Sequence, residues 1–145
     1  MFVILGLLTM AAHTFAQTMP DESDPLIAAV IVYSASYSIE RWESYCASES
    51  PQSANAIATA RSTWMDSHAR LIDKAAAIFR TQYSKEERIQ IGVQARLTND
   101  ELENKLSAAP DSVRQEWCDQ SPERILSPQM NFNHRSTLVK ALGAL

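Results

Sequence analysis

Glycine is scarce in this chain of 145 residues, which has three glycines, at positions 6, 92 and 143. Loops that hold nucleotide phosphates need clustered glycines, because only a residue without a side chain lets the backbone approach a phosphate closely. The isolated glycines therefore exclude a P-loop and a dinucleotide-binding fingerprint, and nothing else in the composition indicates a cofactor. We expect none.

Positive charge is also in short supply. The chain has 13 lysines and arginines against 17 aspartates and glutamates, which gives a net charge of −4, and the basic residues are spread along the sequence. Nucleic-acid binding and adhesion to an anionic membrane surface both need concentrated positive charge. We therefore expect that the protein binds neither nucleic acid nor, through basic residues, a membrane surface.

The N-terminal apolar run, from Phe2 to Leu8, is short of the roughly 20 residues that span a bilayer. It predicts no stable membrane anchor. Small residues follow the run, and Thr14 and Ala16 suit the −3 and −1 positions of a signal-peptidase site. The positively charged start typical of such signals is missing. We predict a signal peptide over residues 1–16, cleavage before Gln17, and export to the periplasm or the exterior.

Two cysteines, Cys46 and Cys118, agree with export, because an oxidising compartment allows one disulfide with only one possible pairing. The alternative is a zinc site that also includes His68 and His134. Structural zinc sites usually bring ligands in close pairs along the sequence, and such pairs are missing here. We predict the Cys46–Cys118 disulfide, with Cα atoms roughly 4.4 to 6.8 Å apart, and no metal site.

The first helix is predicted to begin at Asp24-Pro25, with Asp24 as the N-cap and Pro25 at the first helical position. It runs to about Cys46. Residues 17–24 are polar and contain a proline, which is typical of a flexible lead-in. We assign residues 25–145 to a single domain.

The second predicted helix, over about residues 52–80, has the clearest pattern in the chain. Its apolar stripe places Trp64 in the core at the middle of the helix, while the opposite face should contact water. The stripe recurs at spacings of three and four and consists of Ile57, Arg61, Trp64, Met65, His68, Leu71, Ile72, Ala75, Ile78 and Phe79.

A capping box at residues 84–87 predicts the start of a third helix. A second capping signature at residues 98–101 indicates that this helix either bends or divides into two. Pro110 opens a further short helix, the prolines after Asp119 favour an extended segment, and residues 136–142 can form a last helical turn. The apolar positions of the third helix are Ile89, Val93 and Leu97, followed by Leu102 and Leu106.

No stretch alternates between apolar and polar residues for long enough to predict a strand. The fold class is therefore all-α, a single small domain of four to five helices with an extended C-terminal segment and one disulfide.

Candidate site residues are few. His68 lies within an apolar stripe and could serve as a general base with Glu40 or Glu43, which share one side of the first helix. Tyr33 and Tyr37 lie one turn apart, and exposed tyrosines are favoured at protein interfaces, so they form a candidate partner surface. More often, such residues simply belong to the core of their own domain.

The leading hypothesis is a non-enzymatic exported protein that binds another exported protein, as an inhibitor or an immunity-like factor does. One alternative is a small hydrolase that uses His68 with Glu40 or Glu43. Another is a helical carrier of an apolar ligand, which requires a cavity between helices.

Overall fold

A computed structural model describes residues 21–144 of the protein. The predicted signal peptide, residues 1–16, and the first part of the predicted lead-in lie outside the described residues. The described part is all-helical and has no strand, which confirms the fold class, although it has six α-helices rather than four or five. They are α1 (Pro25–Glu49), α2 (Ala54–Ser67), α3 (Ala69–Gln82), α4 (Lys85–Ser107), α5 (Asp111–Ile125) and α6 (Ser136–Ala141).

Helix α1 is the central element and contacts each of the other five helices. It begins as predicted, because the Asp24 carboxylate accepts a hydrogen bond from the Leu26 amide at 2.7 Å and Pro25 follows the cap. Small and medium apolar side chains on α1 let its neighbours approach closely. Its fully buried residues are Ala28, Ala29, Val32, Ile39 and Cys46.

The predicted helix over residues 52–80 is divided at His68, where ψ is 9° rather than about −42° as in a regular helix. The interruption frees the Ser67 carbonyl oxygen, which accepts a hydrogen bond from the Asn133 side chain at 2.8 Å. The stripe itself is confirmed on both pieces: Trp64 is buried, and the opposite face is exposed. A contact from distant residues therefore separates α2 from α3.

Helix α4 is one continuous helix, so the second capping signature at residues 98–101 does not divide it. Asn99 is buried and its amide nitrogen donates to the Ala95 carbonyl and to the Ser38 hydroxyl of α1. Asp100 instead contacts Arg41, whose guanidinium also forms two hydrogen bonds to Glu103. Side chains that could cap a new helix are therefore used to hold α4 against α1.

Helix α5 is longer than predicted, because it continues through Pro122 to Ile125. A proline inside a helix removes one backbone hydrogen bond. Helix α5 is nevertheless held in place by its buried residues. Ile125 and Ser121 are fully buried, and the Ser121 hydroxyl donates to the Trp117 carbonyl. The predicted extended segment consequently starts after α5 and consists mainly of two short 3-10 turns, Pro128–Met130 and Phe132–His134.

The predicted disulfide is present and joins α1 to α5. The Cα atoms of Cys46 and Cys118 are 5.6 Å apart, within the predicted range, and both residues are fully buried. Aromatic rings pack beside it: Trp117 meets Trp42 and Tyr45 edge to face, with ring centroids 5.7 and 6.1 Å apart. This cluster and the bridge together fix α5 on the central helix.

The residues after α5, 126–135, form a segment that we call the C-terminal strap. It crosses the corner between α2 and α3, where the Trp64 indole nitrogen donates to the Met130 carbonyl at 2.8 Å. At its far end Arg135 pairs with Glu22, so the last described residues of the lead-in are also held. Helix α6 follows, as predicted, and its Leu138 is fully buried.

Candidate functional site

His68 sits at the junction of α2 and α3 with both ring nitrogens occupied. Nε2 accepts a hydrogen bond from the Phe132 backbone amide at 3.0 Å, so the proton of the neutral ring is on Nδ1, which lies 2.8 Å from the Trp64 carbonyl oxygen. The ring stacks on the Trp64 indole with centroids 4.4 Å apart. The His68 side chain therefore links the Trp64 carbonyl of α2 to the Phe132 amide of the strap. Neither ring nitrogen is available to a substrate in this arrangement.

Burial lowers the pKa of His68 below its ordinary value, and the hydrogen bond with the Trp64 carbonyl opposes this shift to a smaller extent. The residue is 3% exposed, so a charged imidazolium here would lose almost all of its hydration. The neutral ring is the form that this site stabilises.

Glu40 and Glu43 do not meet His68. Both carboxylates pair with Arg61 of α2, at 3.0 and 3.3 Å. Arg61 precedes His68 by seven residues, which is roughly 10 Å along a helix axis. The structure therefore brings the two glutamates together around an arginine, where they link α1 to α2, and places the histidine in a separate environment.

The four residues considered for zinc are also separated in their roles. Cys46 and Cys118 are joined in the disulfide, so neither sulfur is a thiolate ligand. His68 binds backbone groups, and His134 is exposed on the strap. Within residues 21–144, no three side chains of the His, Cys, Asp or Glu types lie close enough to hold a metal ion.

Tyr33 and Tyr37, the candidate partner surface, lie on the side of α1 that faces α3 and α4. Tyr33 is half-buried: its ring is 5.0 Å from that of Phe79 on α3, and its hydroxyl lies close to Gly92 on α4. Tyr37 stacks on Tyr33 at 6.3 Å and is also only half-exposed. Much of the Tyr33 ring is consequently covered by other residues of the same domain.

The outer face of α4 carries a more exposed apolar surface. Ile89 and Leu97 are 52% and 51% exposed, and Val93 lies between them on the same face. We call these three residues the α4 strip. Their spacing of four residues places them one turn apart in succession, so they form one patch. Two further exposed apolar residues, Val113 and Leu126, lie on α5 and at its end.

The sequence pattern identified Ile89, Val93 and Leu97 as apolar positions of this helix, and the structure exposes two of the three. The inward face of α4 consists of a second set of residues at helical spacing, in which Leu106 was among the predicted apolar positions and Ala95 and Asn99 were not. Both sets satisfy the helical period, so the buried polar contact between Asn99 and Ser38 shows which side faces α1. The members of the inward set with the least exposure are Ala95, Asn99 and Leu106.

A groove of about 180 Å³ separates α4 from α1 and is open to solvent along one side. Val30 and Ile91 provide apolar walls, and Ser34, Ser38 and Gln94 add polar groups. This volume is below the roughly 300 Å³ at which pockets for small molecules usually begin. The groove suits a single side chain better than a carried apolar molecule.

No family model matches the chain, and no curated protein or solved structure is significantly similar to it. Among the described residues, no helix combines the length and the apolar character needed to cross a bilayer.

Proposed function

We propose that this protein is a non-enzymatic exported module that binds another exported protein through the outer face of α4. The observation that carries the proposal is the α4 strip, in which three apolar residues form one patch and two of them expose about half of their surface. Single exposed apolar residues are normal on a protein surface, whereas a contiguous patch indicates an interaction site.

The position of α4 in the fold supports the same proposal. Arg41 and Asn99 hold this helix against α1, and the capping box at Ser84 secures its first turn, so the strip is presented by an ordered element. An ordered apolar face binds a complementary helix or extended segment with little loss of conformational entropy. We infer that the partner presents a row of apolar side chains that packs against the strip.

The proposal that the protein is exported has separate support. A buried disulfide joins α1 to α5, and such bonds persist in oxidising compartments. The protein would meet its exported partner in that same compartment. Tyr33 and Tyr37 of α1, the surface proposed from the sequence, remain a second candidate contact.

The test is a matched pair of double variants in the cell that produces the protein. Ile89→Ser with Leu97→Ser removes the strip, and Val113→Ser with Leu126→Ser removes two apolar residues of similar exposure outside α4. A photo-reactive residue at position 93 should form a cross-link to one partner protein in the native chain and in the Val113/Leu126 variant. The cross-link should be lost in the Ile89/Leu97 variant.

Urea unfolding of each variant serves as the control, because both pairs are exposed and should change the free energy of unfolding by less than about 1 kcal/mol. Equal cross-linking in both variants would contradict a role for the strip. A photo-reactive residue at Tyr37 reports on the second candidate: a cross-link there and none at position 93 would move the contact surface to the tyrosine side.

A further inference from the structure

The C-terminal strap is attached to the rest of the domain by a small number of polar contacts. Three of them converge on the corner between α2 and α3: Trp64 to Met130, Asn133 to Ser67, and Phe132 to His68. The strap also lies beyond Cys118, so the disulfide holds α5 directly. The strap is held by these bonds, by the Arg135–Glu22 pair and by the buried Phe132 ring, and α6 packs into the core after it.

One of these contacts depends on a proton. His68 Nε2 can accept the Phe132 amide only while that nitrogen is unprotonated. Protonation would place an N–H group against the N–H of Phe132, and it would create a charge at a residue that is 3% exposed. Nδ1 cannot compensate, because it already lies against the Trp64 carbonyl.

Burial and the Trp64 carbonyl are the causes that shift the pKa of His68, and no charged side chain is among them. Asp66, two residues before His68 on α2, is exposed. The strap contributes Arg135, which lies over the Phe132 ring and pairs with Glu22, and it contributes His134, which is exposed. From α3 comes the exposed Arg70, and two turns back on α2 is Arg61, which is paired with glutamates.

A small cavity of about 70 Å³ lies beside His68. Within the described residues it is lined, besides His68, by side chains that do not titrate. They are Trp64, Ser67, Ile125, Leu126, Ser127, Met130 and Asn131.

We propose that His68 is an acid-sensitive latch, and that protonation of Nε2 releases the strap from the α2–α3 corner while the disulfide-linked helices stay folded. Release would uncover the rings of Trp64 and Phe132, which are 1% and 4% exposed in the latched form. Mild acid would thus give the protein an apolar surface that it lacks at neutral pH. The lowered pKa of His68 agrees with this direction.

The test is hydrogen exchange of the Phe132 amide in the oxidised protein, followed by NMR between about pH 7.5 and 5. The comparison is His68→Gln, whose side-chain oxygen can accept the same amide without titrating. The ratio of the native rate to the variant rate removes the intrinsic pH dependence of exchange. It should rise by about tenfold for each pH unit between the ordinary histidine pKa and the lower pKa of latched His68, because release is linked to the uptake of one proton.

The Val32 amide of α1 is buried and reports global unfolding. Global unfolding also frees His68, so it depends on the same proton, and the two processes are distinguished by their rates. After correction for intrinsic exchange, the Phe132 amide should exchange at least about tenfold faster than Val32 at every pH. A constant ratio of native to variant rates at Phe132, or equal protection of Phe132 and Val32, would overturn the latch. If His68→Gln does not fold, the native protein alone is decisive, because corrected exchange at Phe132 must still increase in acid and remain faster than exchange at Val32.

Discussion

The indole nitrogen of Trp64 donates a hydrogen bond to the carbonyl oxygen of Met130, 2.8 Å away and 66 residues later in the chain. The same ring stacks on His68 and meets the edge of Phe132, with centroids 4.4 and 5.9 Å apart. Trp64 therefore fills the core under α2 and also holds the strap, so its removal should affect both.

Replacing Trp64 with alanine should lower the free energy of unfolding by roughly 3 to 5 kcal/mol, because the substitution leaves a large cavity in a site that is 1% exposed. Urea unfolding measures the change. Val113→Ala, at an exposed position, is the control and should cost less than about 1 kcal/mol. A loss under about 1 kcal/mol at Trp64 would contradict its place in the core.

Removing the disulfide by replacing Cys46 and Cys118 with alanine should lower the free energy of unfolding by roughly 4 kcal/mol, because the bridge spans 72 positions and restricts the unfolded chain. Denaturant unfolding with and without reductant checks the value. Mass spectrometry of the exported protein without reductant should show the two cysteine peptides linked, and alkylation of either thiol would show that the bridge is missing.

Alkaline pH should destabilise the protein through Tyr83, whose hydroxyl donates to the Leu26 carbonyl at 2.9 Å. Burial raises the pKa of Tyr83, and the charges of Asp24 and Glu87 add to this shift. Because the pKa is raised in the folded state, the contribution to stability is complete below the unfolded pKa of about 10 and is lost as pH rises through the folded value.

The measurement for this prediction is the urea midpoint between about pH 9 and 11, compared in the native protein and in Tyr83→Phe. The variant lacks the phenol and should show a shallower decline with pH. A decline of the same slope in both proteins would exclude Tyr83 as its cause.

The protein recovered from the exported fraction should begin at Gln17, because Thr14 and Ala16 present the small side chains that a signal peptidase accepts. Intact mass spectrometry checks this. A mass that still includes residues 1–16 would contradict the cleavage site.

Local signals in the sequence predicted much of the fold. The starts of α1 and α4 depend on Asp24 and Ser84, whose side chains cap amides two and three residues away, so neighbouring residues are enough to identify them. The disulfide followed from the cysteine count, since two cysteines allow a single pairing.

Features that depend on distant residues were not predictable in this way. The break at His68 is held by Phe132 and Asn133, more than 60 residues later. The orientation of α4 is equally non-local, because two faces of this helix fit the apolar period and the contact of Asn99 with Ser38 belongs to only one of them. The α4 strip was therefore identified from its exposure in the structure.

The Cys46–Cys118 bridge encloses α2, α3 and α4 in a covalent loop, and α1 enters the loop where the bridge begins. A pulling force applied to the two ends of the folded chain would pass from α1 to α5 directly through the sulfur atoms. The 72-residue separation between the cysteines would add no contour length on extension until the bridge is reduced. The three enclosed helices, including the one that carries the strip, are in this way shielded from tension on the termini.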